Sequence, residues 1–229
     1  MELSVRSRIV GDVTVLQCEG GIVEAAAPAL RQHVTNALEH TPAIVLDLRG
    51  VSFIDSSGLG VLVRILARTG HDNLKLCGLT SRTLETLKIT RLSTVFDIHE
   101  SETDAIAAFY RQSSVSARPS AFVAPTVLCV DKSPDVLTYM REVLRQAGFS
   151  VATADNVPDA VTLLKATTPK VVLLGGNMRS AGTTGTVETF NRLLEAVSVV
   201  EMSTDFARGD PRDTGPRLIE HVRGFIGHA

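Results

Sequence analysis

The sequence predicts an α/β protein of two domains, an N-terminal mixed sheet with helices on one face and a C-terminal doubly wound parallel sheet. Three observations lead there. Apolar residues alternate on both sides of a turn dipeptide, Gly11-Asp12, near the start. Short apolar runs then alternate with segments whose apolar residues recur at helical spacing, the mark of sheets covered by helices. Midway, SSVSARPSAFVAP at 113–125 has no periodicity and the Ser/Ala/Pro content of a connector. The expected division is 1–112, a linker at 113–125, and 126–229.

In the first domain, residues 2–9 and 12–19 read as a hairpin. Leu30, Val34 and Leu38 predict a helix within 24–38, and AIVLDL at 43–48 a buried strand. A turn at Asp55 leads into a helix through Thr69, whose expected buried face is Leu59, Leu62, Val63 and Leu66. A strand around Cys77, a helix through Thr83, Leu84 and Leu87, a short strand near 95–98 and a helix over 102–110 complete the unit. In the second domain TVLCVD at 126–131 is an apolar strand ending in a carboxylate, and Ser133-Pro134 starts a helix that runs to Arg145 before Gly148. Strands at SVATA, KVVLL (170–174) and SVVEMS alternate with helices at 157–166, 187–196 and 217–226, and strict alternation of apolar strands with helices indicates a parallel sheet.

Composition narrows the function. With 229 residues and 44% hydrophobic side chains the chain can bury two ordinary cores. Its formal charge of -2 is shared between halves carrying 11 Lys+Arg against 13 Asp+Glu (1–112) and 12 against 12 (113–229), so neither offers the basic excess that nucleic acid requires. The N-terminus lacks the uninterrupted apolar stretch of a signal peptide or membrane span, and a cytoplasmic protein is expected. Cys18, Cys77 and Cys129 each sit in an apolar strand-like run and read as buried thiols. None of the six histidines pairs with another at metal-ligand spacing, and His33, His40, His71, His99, His221 and His228 read as exposed. No metal or cofactor is expected.

The functional signal is VSFIDSSGLGVLVRIL at 51–66. It places Asp55, Ser56 and Ser57 where a strand turns into a helix, so the hydroxyls meet the unpaired N–H groups and positive pole of a helix N-terminus. A phosphate there is stabilised, and its charge of roughly -1.5 to -2 would repel an acidic partner docked on the same helix. Gly58 and Gly60 are expected to keep side chains clear of the hydroxyls. These residue types also cap helices, and capping is compatible with a switch.

The stretch LDLRGVSFIDSSGLGVLVRI resembles the STAS domain of bacterial anti-sigma factor antagonists, and the pattern extends over 1–112. The resemblance implies a protein-binding regulator, not an enzyme, whose partner is an anti-sigma factor with serine kinase activity. It implies phosphorylation of Ser56, with Asp55 orienting it, Ser57 supporting the turn, and Gly58, Leu59 and Gly60 completing the partner-binding surface. One departure is Gly20-Gly21-Ile22-Val23, where the family has acidic residues that help the kinase dock. That departure suits an alternative, a STAS scaffold or transporter-associated subunit that is never phosphorylated.

Residues 126–229 resemble the flavodoxin-like receiver domain of response regulators, with its chemistry missing. A working receiver pairs acidic residues after its first strand to hold Mg²⁺ and accepts phosphate on an aspartate ending its third. Here the first place reads Asp131-Lys132 and the second Gly175, while Ser203 or Thr204 stands for the switch hydroxyl with no lysine strand following. A pseudo-receiver is expected, with Asp131 a capping or loop residue and its role docking or dimerisation with a second copy. GGNMRSAGTTGT at 175–186 lacks the Gly-Lys-Ser/Thr ending of a phosphate loop and reads as a loop. Asp205, Asp210 and Asp213, with Arg208, Arg212 and Arg217, read as a solvated surface.

Overall fold

In the computed structural model, which describes residues 2–113, 123–176, 178–202 and 211–226, the chain forms two compact units, Met1–Phe109 and Tyr110–Ala229. In the first, β1 (Ser4–Val10) and β2 (Val13–Ile22) pair antiparallel from Val10↔Val13 to Ser4↔Glu19. Gly11 in the turn has φ 63°, a left-handed conformation that costs glycine little. A 3₁₀ turn at Glu24–Ala26 precedes α1 (Ala27–His40). β3 spans Ala43–Ile54, six residues beyond the expected end at Leu48. Nothing in RGVSFI breaks the strand: Val51 and Ile54 continue the buried set, and register shifts in β2 at Gln17/Glu19 and Gly20/Gly21 keep the two strands paired as far as Ile22.

α2 (Ser56–Thr69), β4 (Leu74–Cys77), α3 (Ser81–Ile89), β5 (Asp97–His99) and α4 (Glu102–Ser113) follow. The sheet order is β1-β2-β3-β4-β5, parallel except for the first pair, and the sheet is therefore mixed as expected. β5 starts two residues later than the sequence suggests because Val95 closes a 3₁₀ turn at Leu92–Thr94. Leu16, Leu46, Leu74 and Leu76 share one face with Leu30 and Val34 of α1, Leu62 and Ile65 of α2 and Leu87 of α3. Lys75, between two of those leucines, must point to the opposite face. There it is wholly buried, pairs with Asp97 on the neighbouring strand, and lies with its ammonium 4.7 Å from the Phe109 ring of α4.

The second unit runs β6 (Val127–Val130), α5 (Pro134–Gln146), β7 (Val151–Ala154), α6 (Val157–Thr167), β8 (Val171–Leu174), α7 (Thr184–Leu194), β9 (Ser198–Glu201) and α8 (Pro211–Ile226). All strands are parallel in the order β7-β6-β8-β9. Val127, Cys129, Val171 and Leu173 meet Leu137, Met140 and Leu144 of α5 and Leu218 and Val222 of α8 on one face. α6 packs against β6, β7 and α7, which makes the sheet doubly wound. α5 opens on Ser133, whose hydroxyl accepts the Val136 N–H, with Pro134 at the first helical position, where its missing N–H is harmless. α7 begins three residues before the expected Val187, and α8 six before Arg217, taking in Pro216. Among the described residues no helix is long and apolar enough to cross a membrane.

Candidate functional site

The strand-to-helix turn at Asp55 sits beside the end of β2. The Asp55 N–H donates to the Ile22 carbonyl (3.3 Å), and its own carbonyl accepts the Leu59 N–H (2.9 Å). With extended backbone (φ -90°, ψ -179°), its carboxylate accepts the Gly58 N–H at 2.7 Å. Asp55 is thus the N-cap of α2. Its Oδ1 satisfies an amide that the helix cannot. Ser56, the first helical residue, is exposed, and its hydroxyl has no hydrogen-bond partner among the described residues. Ser57 is half-buried.

The two glycines have unequal roles. A Cβ on Gly58 would lie 2.0 Å from the Ile22 carbonyl oxygen, so only glycine lets α2 seat on the end of β2. A Cβ on Gly60 would meet nothing nearer than the tip of Arg64, at 3.5 Å. The run Gly-x-Gly is therefore one steric requirement and one open position, not a pair that clears space for the hydroxyls. Gly58 and Leu59, expected at the partner surface, are buried, Leu59 within the core. Val63, expected in the core, is instead 39% exposed. Ser56, Val63, Arg64 and Ala67 are exposed and Gly60 partly so, at spacings of three, four and seven that put them on one face of α2. That face was readable by counting outward from Ser56. Phe53, before the turn, is also exposed, with the Arg82 guanidinium 5.6 Å from its ring centroid; sequence reading gave neither a role.

Gly20 and Gly21 are built into β2. Gly20 has φ +107°, and a Cβ there would fall 2.4 Å from the Glu2 carbonyl oxygen. Gly20, Gly21 and Ile22 are all buried.

The family model described as the STAS domain matches residues 4–105. The N-terminal unit is a STAS domain. A solved anti-sigma factor antagonist from Mycobacterium paratuberculosis is similar to this chain at 26% identity, over 47% of this chain and 93% of that one, with a TM-score of 0.44. The Bacillus cell fate determinant SpoIIAA in its phosphorylated form is similar at 19% identity, over 45% and 96% respectively, with a TM-score of 0.36. Among curated proteins, Protein Rrf1 of Nitratidesulfovibrio vulgaris is 40% identical over 48 residues, which are 21% of this chain and 35% of that protein. The chain thus covers about a third of the length of that curated relative.

Outside the STAS domain, Asp131 and Gly175 are brought together. The Asp131 carboxylate accepts the Ser133 N–H (2.8 Å) at the start of α5, while its other oxygen lies 1.9 Å from where a Cβ on Gly175 would be. Asp131 therefore occupies the space that a side chain at 175 would need. Lys132 is exposed. Ser203, Thr204, Asp205, Arg208, Asp210 and His228 lie outside the described residues, as does 114–122 of the expected linker.

His99, read from sequence as exposed, is half-buried in β5 with Nε2 2.9 Å from Asp97. Burial pushes the Asp97 carboxyl up, but the hydrogen bond and charge of Lys75, then His99, overcome it and hold the carboxyl below its ordinary value. All three cysteines are buried, and burial pushes the Cys18 and Cys129 thiols up to about 12, far from reactive thiolates. Among the described residues no group of three His, Cys, Asp or Glu side chains could hold a metal ion.

Proposed function

We propose that this chain is a non-catalytic, cytosolic regulator whose STAS domain binds an anti-sigma factor of the serine kinase type through the exposed face of α2, in a partner-switching pathway controlled by phosphorylation of Ser56. The supporting observation is the state of Ser56, an exposed hydroxyl with no hydrogen-bond partner among the described residues, at the first position of a helix already capped by its neighbour. Because Asp55 caps through Gly58, phosphate can be added at Ser56 without uncapping α2, and the N-terminal dipole favours the added charge. The same charge lies on the face shared with Gly60, Val63 and Arg64, where a docked partner would feel it. In the second unit, occupation of the Gly175 space by Asp131 favours a pseudo-receiver that docks without accepting phosphate.

The test is incubation of the full chain with the serine kinase, ATP and Mg²⁺, followed by peptide mass spectrometry. Phosphate on Ser56 is expected, and modification elsewhere or nowhere overturns the switch. Ser56→Asp should weaken partner binding by at least ~10-fold, about 1.4 kcal/mol. A scaffold or transporter-associated STAS unit is the second reading, favoured by the buried Gly20-Gly21-Ile22 segment in place of acidic docking residues. It predicts an unmodified Ser56 and unchanged binding in Ser56→Asp.

A further inference from the structure

We propose that β9 is an interface, its outer edge pairing antiparallel with β9 of a second copy of this chain so that two four-stranded sheets become one. This goes beyond the Ser56 reading and does not rest on it. Among the described residues β9 has β8 on one side and no strand on the other. β6, β7 and β8 are buried throughout, whereas Ser198, Val199 and Val200 of β9 are half-buried and Glu201 is exposed. Edges are usually blunted by lysine, proline or a bulge; SVVE carries neither residue and pairs with β8 in unbroken register.

The backbone is set for a partner. The Met202 N–H reaches the Leu174 carbonyl at 2.8 Å. In a strand, successive residues direct their N–H and C=O groups to opposite sides, so Ser198 and Val200 also bond toward β8, and the groups of Val199 and Glu201 face outward. A two-fold axis perpendicular to the sheet keeps like faces together and requires cross-strand partners of equal parity. Centred on Val199, it sets Val199 against Val199, Ser198 against Val200, and Val197 against Glu201. The two Val199 residues then exchange a pair of N–H···O bonds, and each Glu201 N–H reaches the Val197 carbonyl opposite.

The side chains match this register. Val200 packs on the core between α5 and α8, so Val199 and Glu201, its neighbours in β9, point to the other face. Lys170 and Val197, the residues just before the paired Val171 and Ser198, line one recess, and Lys170 is exposed. Glu201 of the second copy, opposite Val197, therefore comes within reach of Lys170. Glu195 lines the same recess as Lys170. On the α8 face, Phe225 is 46% exposed and lines the recess with Ser198, so pairing brings it over Val200 of the second copy.

Light scattering of the full chain should give a dimer, twice the 24.5 kDa chain mass. Val199→Lys should give a monomer with an unchanged circular dichroism spectrum. Val199→Cys should form a covalent dimer on oxidation, since a bonded antiparallel pair has Cα atoms ~5.5 Å apart, within disulfide range, and the native thiols are buried. Lys170→Glu should weaken the dimer about several-fold, and Lys170→Glu with Glu201→Lys should restore it. A monomeric wild type, a dimer that survives Val199→Lys, or a dimeric Val199→Cys that does not cross-link would each overturn the proposal.

Discussion

Alanine at Gly58 and at Gly60 should have opposite effects, although the two positions stand two residues apart in α2. In the interior of a helix, Gly→Ala gains up to ~1 kcal/mol through the backbone freedom it removes from the unfolded chain. At Gly60 the new Cβ meets only the flexible end of Arg64, at 3.5 Å, and that gain should be realised in full. At Gly58 the Cβ would lie 2.0 Å from the Ile22 carbonyl oxygen, more than 1 Å inside any real contact, and the obstacle is strand backbone that cannot rotate away. Overpacking of a core costs ~1–3 kcal/mol, and a rigid obstacle belongs at or above the top of that range. The net expectation is a loss of ~2 kcal/mol or more at Gly58 against a gain of up to ~1 kcal/mol at Gly60. For a unit of about 100 residues that is a fall of roughly 8–16 °C in the melting of the STAS unit against a rise of up to ~4–8 °C. Thermal scans of the full chain, followed by circular dichroism with the STAS transition resolved, would measure both. Equal effects at the two positions, or a harmless Gly58→Ala, would refute the seating of α2 on β2. A Gly60→Ala protein that is stable but fails to bind its partner would instead place Gly60 in the contact surface.

Other substitutions test the remaining contacts. Asp55→Ala removes the cap at Gly58 and should cost ~1 kcal/mol by urea denaturation, with Asp55→Asn losing much less. Lys75→Met keeps the bulk of a wholly buried side chain but strands Asp97, which is a quarter exposed and retains His99. A loss of about 2–3 kcal/mol is expected, below the ~3–5 typical of a fully buried pair. The folded-state pKa of Asp97 is depressed, so its contribution is present above the ordinary aspartate range near ~3.9 and disappears as pH falls through the lower folded value. Lys75→Met should therefore flatten the loss of stability between pH 7 and pH 3, and an unchanged acid limb in urea midpoints would contradict the pairing. Gly175→Asp should not create a phosphate acceptor, because Asp131 already fills that space: the variant should unfold at lower urea than wild type and take up no phosphate from acetyl phosphate.

The alternation around Gly11, the helical spacing of Leu30 and Val34 and the strict β-α order after residue 126 are local patterns, and each reports its element without knowledge of what packs on it. The sequence by itself therefore determined a mixed sheet followed by a doubly wound one, and put Ser56 at the start of a helix. Contacts between segments distant in the chain have no such local signature. Ile22 and Gly58 meet only because β2 and β3 end together, and this is why Gly58 is indispensable while Gly60 is not. Lys75 is buried only because Asp97 and Phe109 return beside it, and Val63 is exposed because the face of α2 that meets the sheet is the one carrying Leu59, Leu62 and Ile65. Asp131 and Gly175, each just past the end of one of two adjacent parallel strands, are 44 residues apart in sequence; only the tertiary structure joins them in one arrangement, in which the Asp131 carboxylate occupies the space that a side chain at 175 would need.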